Sequence, residues 1–219
     1  MNIDFFTISF FPVTGILFLF VFLWKNSNME KELKVLFYRL GVLILVELML
    51  YDLELILPDI PCAKEWLTLT TALGYSLRPV MLYLLIGIII RRDNRKSIRI
   101  PLIIPAVICA LTSFSAFFTD IVYSYDDMKV FHRGFLGWTP HIIMAFYLIA
   151  MIFFSFTHKD KSNRFESALI IGISLIIIVA VFAESLFENV VVLRIAITAV
   201  LIFYYMFFQS ELYKDNLNP

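Results

Sequence analysis

Long runs of apolar residues, separated by short polar joints, dominate the sequence. A bilayer core about 30 Å thick needs roughly 20 apolar residues in an α-helix, and seven stretches reach or approach that length. They span residues 5–24, 35–57, 67–90, 100–118, 138–156, 168–186 and 190–208. The longest joint, residues 119–137, leaves no room for a soluble domain. The pattern predicts an all-α membrane protein with seven transmembrane helices in one domain over residues 1–208, followed by a short cytoplasmic tail over residues 209–219.

The distribution of Lys and Arg over the short joints indicates the orientation, because cytoplasmic loops are enriched in these residues. With the N-terminus outside, twelve Lys and Arg residues fall on the cytoplasmic side and only Lys64, Lys129 and Arg133 fall outside. The first apolar stretch lacks the basic start and the cleavage pattern of a secretory signal, so we interpret it as a retained helix. The predicted topology places the N-terminus outside and the C-terminus in the cytoplasm.

The composition agrees with a bilayer environment. Of the 219 residues, 61% are hydrophobic and 16% are charged, whereas soluble proteins carry roughly 45 to 50% apolar and about 25% charged residues. The 18 Lys and Arg residues balance the 18 Asp and Glu residues, so the chain lacks the basic excess of a nucleic-acid-binding protein. We expect the lipid bilayer as its surroundings and no nucleic acid as a partner.

Apart from Arg39 near the cytoplasmic end, whose side chain we expect to reach the lipid headgroups, six charged residues fall inside the predicted spans. Each costs about 2.5 to 3.5 kcal/mol on insertion scales and is by default a functional candidate. At 1.5 Å per helical residue, Glu47 and Arg78 lie near mid-membrane. The other four lie in the outer third and are Asp52, Glu54, Glu184 and Arg194. The common depth of these charges predicts a polar cavity that opens toward the outside.

Helical spacing selects the side chains that wall this cavity. Glu47, Tyr51 and Glu54 share one stripe of the second span, whereas Asp52 points about 140° away from Glu47 at 100° per residue. The same spacing places Thr71, Tyr75 and Arg78 on one stripe of the third span. The predicted ligand-binding residues are Glu47, Tyr51, Glu54, Tyr75, Arg78, Glu184, Arg194 and Thr198.

The charge tally of the spans leaves alternatives open. Four acids stand against two arginines, so the cavity either prefers a cationic or amine-bearing ligand or holds one or two carboxyls protonated by desolvation. In a simpler interpretation, the Arg–carboxylate pairs only hold the helices together.

The joint between the fourth and fifth spans predicts a lid. Residues 121–125 and 129–133 are β-prone runs on either side of a turn at residues 126–128, the pattern of a short hairpin. Such a hairpin over the helix ends would offer Tyr123, His132 and Arg133 to a ligand. His132 is a candidate pH sensor, although a solvated loop histidine is the simpler interpretation.

The sequence contains no pattern typical of catalysis. Gly-rich phosphate loops, zinc-hydrolase spacing and a nucleophile elbow are absent, and no Ser, Cys or Thr has a matched base at helical spacing. His141 and His158 have no acidic or Cys neighbours at metal-ligand spacing. We therefore expect a protein that is not an enzyme and binds no cofactor or metal.

Three short motifs resemble a known family of membrane sensors. They are ALGYSLRP at residues 72–79, FHRGFL at residues 131–136 and FYYMFFQ at residues 203–209. In this combination they resemble the N-terminal seven-helix sensor region of bacterial membrane diguanylate cyclases with a GGDEF domain, and a related region precedes some bacterial histidine kinases. The resemblance implies a signalling role in the bacterial plasma membrane, with Arg78 and residues 132–134 on the outward-facing input side.

The chain departs from that family at its C-terminus. It stops at Asn218 and Pro219, about where the family enters its cyclase domain, so the GGDEF motif and the residues for GTP chemistry are missing from this sequence. We expect no cyclic-dinucleotide synthesis. The chain is interpreted as a severed sensor module or a stand-alone protein acting through a cytoplasmic output protein or a homodimer.

These features favour a receptor-like sensor that binds an unknown extracytoplasmic ligand in the outer charged cavity and signals through the seventh helix. A small-solute or proton transporter or channel is the alternative. The inner halves of the fourth, sixth and seventh spans are almost purely Ile, Leu, Val and Phe, which does not fit a polar path. A third interpretation is a non-catalytic membrane assembly subunit.

Overall fold

The computed structural model describes residues 3–61, 63–91, 96–156, 164–186 and 192–217. Over this part of the chain the protein is predominantly helical, and its seven α-helices coincide with the seven apolar stretches that the sequence predicts. The helices are α1 (Ile3–Lys25), α2 (Lys31–Ile56), α3 (Lys64–Arg91), α4 (Lys96–Phe114), α5 (Thr139–Phe156), α6 (Arg164–Leu186) and α7 (Leu193–Leu217). Helix α7 continues to Leu217, so residues 209–217 of the predicted tail extend this helix, and residues 218–219 lie outside the described residues.

Four of the helices are long and apolar enough to cross a membrane. These segments are Lys64–Ile89, Phe135–Phe154, Ser167–Glu184 and Leu193–Ser210, and α1 and α4 contribute the shorter apolar segments Ser9–Lys25 and Pro101–Phe117. Helix α2 has 26 residues, but its apolar stretch is interrupted by Arg39 and by the carboxylates of Glu47, Asp52 and Glu54. Large apolar side chains such as Phe18, Leu111 and Val179 point outward, as a lipid-facing surface requires. The architecture is that of an all-α membrane protein.

The buried stripe of α2 explains the position of its most central charge. Leu33, Phe37, Leu40 and Ile44 are buried at intervals of three and four residues, which is the helical period of a core-facing surface. Glu47 continues the same stripe by one further turn and is only 1% exposed. The period that packs α2 against its neighbours therefore also carries a carboxylate into the bundle.

A two-stranded antiparallel sheet connects α4 and α5 and confirms the predicted hairpin. Strand β1 (Tyr123–Tyr125) pairs with strand β2 (Phe131–Arg133), with Tyr123 opposite Arg133. The strands are shorter and the turn longer than the sequence indicates, because the Asp126 carboxylate accepts a hydrogen bond from the Val130 backbone N–H at 2.9 Å. Lys129 adopts a positive φ of 62° within this turn.

Several contacts fix the hairpin onto the helix ends. The Tyr123 hydroxyl donates to the Thr68 carbonyl at 2.9 Å, and the Lys129 ammonium donates to the Pro58 and Ile60 carbonyls at 2.6 and 2.5 Å. Gly134 comes directly after β2, and a Cβ atom at this position would lie 2.3 Å from the Ile121 carbonyl oxygen. The hairpin is therefore packed closely against the α2–α3 corner and its own preceding loop.

The main apolar core fills the bundle on the side away from the hairpin. It includes Phe37 and Leu40 of α2, Leu85 of α3, and Leu201 and Tyr204 of α7, all nearly or completely buried. A second, smaller cluster joins Ala72 and Tyr75 of α3 to Val122 and Tyr123 beside the hairpin. Between these two apolar layers lies the charged layer that contains the candidate site.

Candidate ligand-binding cavity

Glu47 is the centre of an ion-paired cluster that joins three helices. The Arg78 Nε atom of α3 donates to Glu47 Oε1 at 3.0 Å, and the Arg194 Nε atom of α7 donates to Glu47 Oε2. A buried carboxylate is tolerated only where opposite charges and hydrogen bonds replace its hydration. Both carboxylate oxygens of Glu47 are engaged in this way. Glu47 and Arg78, which the sequence places at the same depth, are therefore ion-paired, and the cluster extends to Arg194.

Glu184 brings α6 into the same cluster. Its Oε2 atom lies 3.8 Å from Arg78 Nη1, and its Oε1 atom accepts a hydrogen bond from the Leu193 backbone N–H at 3.0 Å. Leu193 is the first residue of α7, and a helix N-terminus favours a negative charge. Glu47 and Glu184 together compensate the charges of Arg78 and Arg194.

A cavity of about 710 Å³ lies against this cluster, beneath the hairpin. Its lining combines the charged residues with aromatic rings from α2, α3, the hairpin and α5. The lining residues are Glu47, Leu50, Tyr51, Glu54, Thr71, Gly74, Tyr75, Arg78, Tyr125, Val130, Phe131, Arg133, Trp138, His141, Glu184 and Arg194. Seven of the eight predicted ligand-binding residues are among them.

Two tyrosines predicted from helical spacing are stacked against the cluster's guanidinium groups. The Arg194 Cζ atom lies 4.2 Å from the centroid of the Tyr51 ring, and the Arg78 Cζ atom lies 5.5 Å from that of Tyr75. Both distances fall within the range of cation–π attraction. These rings hold the arginines in place and form part of the cavity wall.

A hydrogen-bond chain links the hairpin to Glu54. Thr71 Oγ1 donates to Glu54 Oε1 at 2.8 Å, which uses the single proton of the Thr71 hydroxyl. The Tyr125 hydroxyl, also 2.8 Å from Thr71 Oγ1, is therefore the donor to Thr71. Burial raises the pKa of Tyr125 to about 12, so its proton stays in place at neutral pH.

Arg133 reaches the cavity from strand β2. Its Cζ atom lies 4.5 Å from the centroid of the Trp138 ring. The Arg133 side chain passes so close to Gly137 that a Cβ atom there would lie 2.3 Å from Arg133 Cγ. Glycine at position 137 therefore allows the arginine to fold over the start of α5.

The alternation of side chains along a strand separates His132 from Arg133, two of the three predicted lid residues. Successive residues of a strand point to opposite faces, so His132 and Arg133 cannot both face the cavity. The His132 side chain is 58% exposed and its Nε2 atom lies 3.2 Å from Asp126 Oδ2 on the outer face. Tyr123 is fully buried against Tyr75 and supports the hairpin without lining the cavity. Of the three, only Arg133 lines it.

Thr198 lies outside the cavity, contrary to the sequence-based expectation. Its hydroxyl donates to the Arg194 carbonyl oxygen one turn earlier at 2.8 Å, a bond that Thr commonly forms within helices. Its methyl carbon lies 3.5 Å from the place that a Cβ atom on Gly15 of α1 would occupy. The packing of α1 on α7 therefore covers this position.

Asp52 has the separate environment that its helical angle predicts. Its Oδ1 atom accepts a hydrogen bond from the Ser9 hydroxyl of α1 at 3.2 Å. Glu54, two positions further along α2, instead contacts Thr71 of α3. The two neighbouring carboxylates thus serve different sides of the helix, and only Glu54 lines the cavity.

The sequence interpretation missed the contribution of α5 and the hairpin to the walls. His141 lies next to Trp138, with ring centroids 5.4 Å apart, and its Nδ1 atom is buried with no hydrogen-bond partner among the described residues. Tyr125 and Phe131 line the cavity as well. The alternation of the predicted strands could have indicated Phe131 together with Arg133, but no sequence signal places His141 beside them.

The fold and the site together define a helical membrane protein with an ion-paired, aromatic-walled cavity beneath a β-hairpin. Comparison of the chain with protein-family models, with curated proteins and with solved structures finds no match. The resemblance to the sensor regions of GGDEF diguanylate cyclases therefore stays a prediction.

Proposed function

We propose that the chain is a receptor-like membrane module of a bacterial signalling system, which binds a small polar ligand in the cavity and transmits the event through α7. The observation that carries this proposal is the sharing of Glu47 between Arg78 of α3 and Arg194 of α7. A ligand that competes for either arginine changes the balance between two helices. Binding that favours one arrangement over another shifts the population of α7 positions.

The proposal includes seven membrane crossings with the hairpin end outside. The twelve-to-three distribution of Lys and Arg in the joints supports this orientation. Exposed Trp66 and Trp138 lie at the hairpin end and exposed Trp24 at the opposite end, as expected for aromatic residues at both membrane interfaces. In this orientation the cavity faces the extracytoplasmic side and the end of α7 faces the cytoplasm.

The packing of the bundle favours binding over transport. Phe37, Leu40 and Ile44 of α2, with Leu85 of α3 and Tyr204 of α7, belong to the continuous buried core beyond the charged cluster. A transporter or channel would need polar groups along that half as well. Among the described residues, the buried charges lie in the half of the bundle nearer the hairpin, which suits a ligand that enters and leaves from that side.

A cavity-filling variant tests the proposal without breaking the ion pairs. Gly74 lines the cavity, and a Cβ atom there would have no neighbour within 4 Å. Gly74→Leu should place a side chain in the ligand's space while leaving or raising the unfolding temperature, since glycine is a poor helix former. Gly172→Leu is the matched control, because Gly172 of α6 also has open space at Cβ and does not line the cavity.

The measurement is ligand-linked thermal stabilisation of the full chain in lipid nanodiscs, screened with a panel of small polar metabolites. We expect at least one compound to raise the unfolding temperature of the wild type and of Gly172→Leu, and to have no effect on Gly74→Leu. Equal stabilisation of all three proteins would refute the cavity as the binding site. Uptake of the same labelled compound into proteoliposomes would instead favour the transporter.

A further inference from the structure

The charges that line the cavity do not all have partners within it. Arg78 and Arg194 are engaged by Glu47 and Glu184. Among the described residues, Glu54 has no cationic group within ion-pair distance, and Arg133 has no carboxylate within that distance. The cavity therefore presents one carboxylate and one guanidinium group that form no ion pair among the described residues.

The Glu54 side of the cavity suits an ammonium group. Its Oε1 atom already accepts from Thr71, and its Oε2 atom accepts no hydrogen bond from the described residues. The cavity lining around α2 and α3 includes the rings of Tyr51, Tyr75 and Tyr125. A carboxylate among aromatic faces is the usual environment in which proteins bind an organic cation.

The Arg133 side suits a carboxylate. The guanidinium group is held against Trp138 and also interacts with Tyr75. Because it carries five N–H donors, donors remain for an anion. The neighbouring His141 has a buried Nδ1 atom without a partner in the described structure, and an imidazole can supply one N–H donor even when neutral. A carboxylate placed here would satisfy both residues.

We propose that the ligand of this cavity is a small zwitterion of the α-amino-acid class, with its ammonium group at Glu54 and its carboxylate at Arg133. This inference rests on the proposed function, since it specifies the ligand of the same site. A purely cationic ligand would leave Arg133 uncompensated, and a purely anionic ligand would leave Glu54 so. The volume of about 710 Å³ lies in the range of small-molecule sites and accommodates an amino acid with a large side chain.

A single-tryptophan protein provides the readout. Replacing the exposed Trp24 and Trp66 by Phe leaves Trp138, whose ring contacts Arg133, as the only indole in the chain. The twenty L-amino acids are titrated against this protein in nanodiscs, and Trp138 fluorescence and the unfolding temperature are followed. Each amino acid that binds is then compared with its N-acetyl derivative, which lacks the ammonium group, and with its carboxamide, which lacks the carboxylate.

We expect saturable binding of at least one amino acid and a Kd at least about tenfold weaker for both derivatives, as the loss of a charged hydrogen bond implies. Glu54→Gln should weaken binding of the parent amino acid by a similar factor and leave the N-acetyl derivative unaffected. Arg133→Gln should do the same with the carboxamide as the unaffected ligand. The control variants are Asp52→Asn on the opposite face of α2 and His132→Gln on the outer face of the hairpin, and both should bind like the wild type.

The outcomes separate this inference from the proposed function. Binding of a non-zwitterionic metabolite that Gly74→Leu abolishes, with no amino acid bound, would overturn the zwitterion and leave the receptor cavity standing. Derivatives that bind as tightly as the parent would likewise overturn it. If no compound in either panel binds the wild type, both proposals fail and the ion pairs serve only to hold the bundle together.

Discussion

Glu47 and Arg194 are 147 positions apart in the chain and form a buried hydrogen-bonded ion pair between α2 and α7. Arg78 of α3 engages the other oxygen of the same carboxylate. The Glu47 side chain therefore connects three helices, α2, α3 and α7. Removing it would leave two guanidinium groups near each other without their common counter-ion.

Glu47→Gln should reduce the stability of the bundle substantially. The substitution keeps the shape of the side chain but removes the charge that compensates Arg78 and Arg194, and breaking a buried ion pair costs about 3 to 5 kcal/mol. We expect a clear fall of the unfolding temperature in nanodiscs. Asp52→Asn removes a carboxylate five positions further along α2, which accepts a hydrogen bond from Ser9 of α1 and forms no ion pair among the described residues, and should change little. Equal effects of the two variants would show that Glu47 has no special structural role.

The contact between Glu47 and Arg78 could be predicted from the sequence because two simple counts agree. The helical repeat puts Glu47 on the buried stripe of α2, and the depth count puts Arg78 at the same level of α3. The involvement of the Leu193 backbone N–H with Glu184 could not be predicted in this way. It depends on where α7 begins, and helix ends are set by local backbone geometry that apolar periodicity does not specify.

Gly134→Ala should disrupt the packing of the hairpin against the loop that precedes it. The added methyl group would lie 2.3 Å from the Ile121 carbonyl oxygen and 2.4 Å from that of Asp120, and a backbone oxygen cannot move aside as a side-chain end can. We expect a cost of about 1 to 3 kcal/mol from overpacking, measured as a lower unfolding temperature. Gly172→Ala in α6 is the control and should be neutral or stabilising, because its Cβ would meet nothing within 4 Å. An unfolding temperature that Gly134→Ala leaves unchanged would mean that the loop adjusts freely.

The lid illustrates the limit of sequence interpretation more clearly than the bundle. A hairpin could be predicted from two β-prone runs, and strand alternation alone puts Phe131 and Arg133 on one face of β2 and His132 on the other. Which of these faces turns toward the cavity depends on how the hairpin packs on the helix ends, and the β-prone runs do not specify that packing. The prediction that Thr198 lines the cavity was wrong because its stripe on α7 is shared between the cavity and the contact with α1.

Asp126 should make the turn of the hairpin sensitive to acid. The Val130 backbone N–H, followed by His132, holds the pKa of the Asp126 carboxyl below its ordinary value of 3.8. A lowered pKa in the folded state means that the ionised form stabilises the turn above the ordinary value and that this contribution disappears as the pH falls through the lower, folded value. Hydrogen exchange of the Val130 amide should therefore accelerate, relative to its intrinsic rate, in strongly acidic solution.

Asp126→Asn is the comparison for this acid effect. The amide oxygen can still accept the Val130 hydrogen bond but does not titrate, so the protection of the Val130 amide should be weaker at neutral pH and nearly independent of pH. A wild-type turn whose protection is equally constant down to the lowest pH tested would contradict a structural role of the ionised carboxylate.

The chain of hydroxyl groups from Tyr125 through Thr71 to Glu54 should act as one unit. Thr71→Val keeps the volume of the side chain but removes both of its hydrogen bonds at 2.8 Å, and Tyr125→Phe removes the outer one. Each variant should lose on the order of 1 kcal/mol of unfolding free energy. Because both substitutions break the same Tyr125–Thr71 bond, the double variant should lose less than the sum of the two single losses, with a coupling of at least about 0.5 kcal/mol. Thr112→Val, which removes only hydrogen bonds within α4, should combine additively with Tyr125→Phe. If Thr71→Val and Tyr125→Phe also combined additively, the hairpin and α3 would not be coupled through the Thr71 hydroxyl.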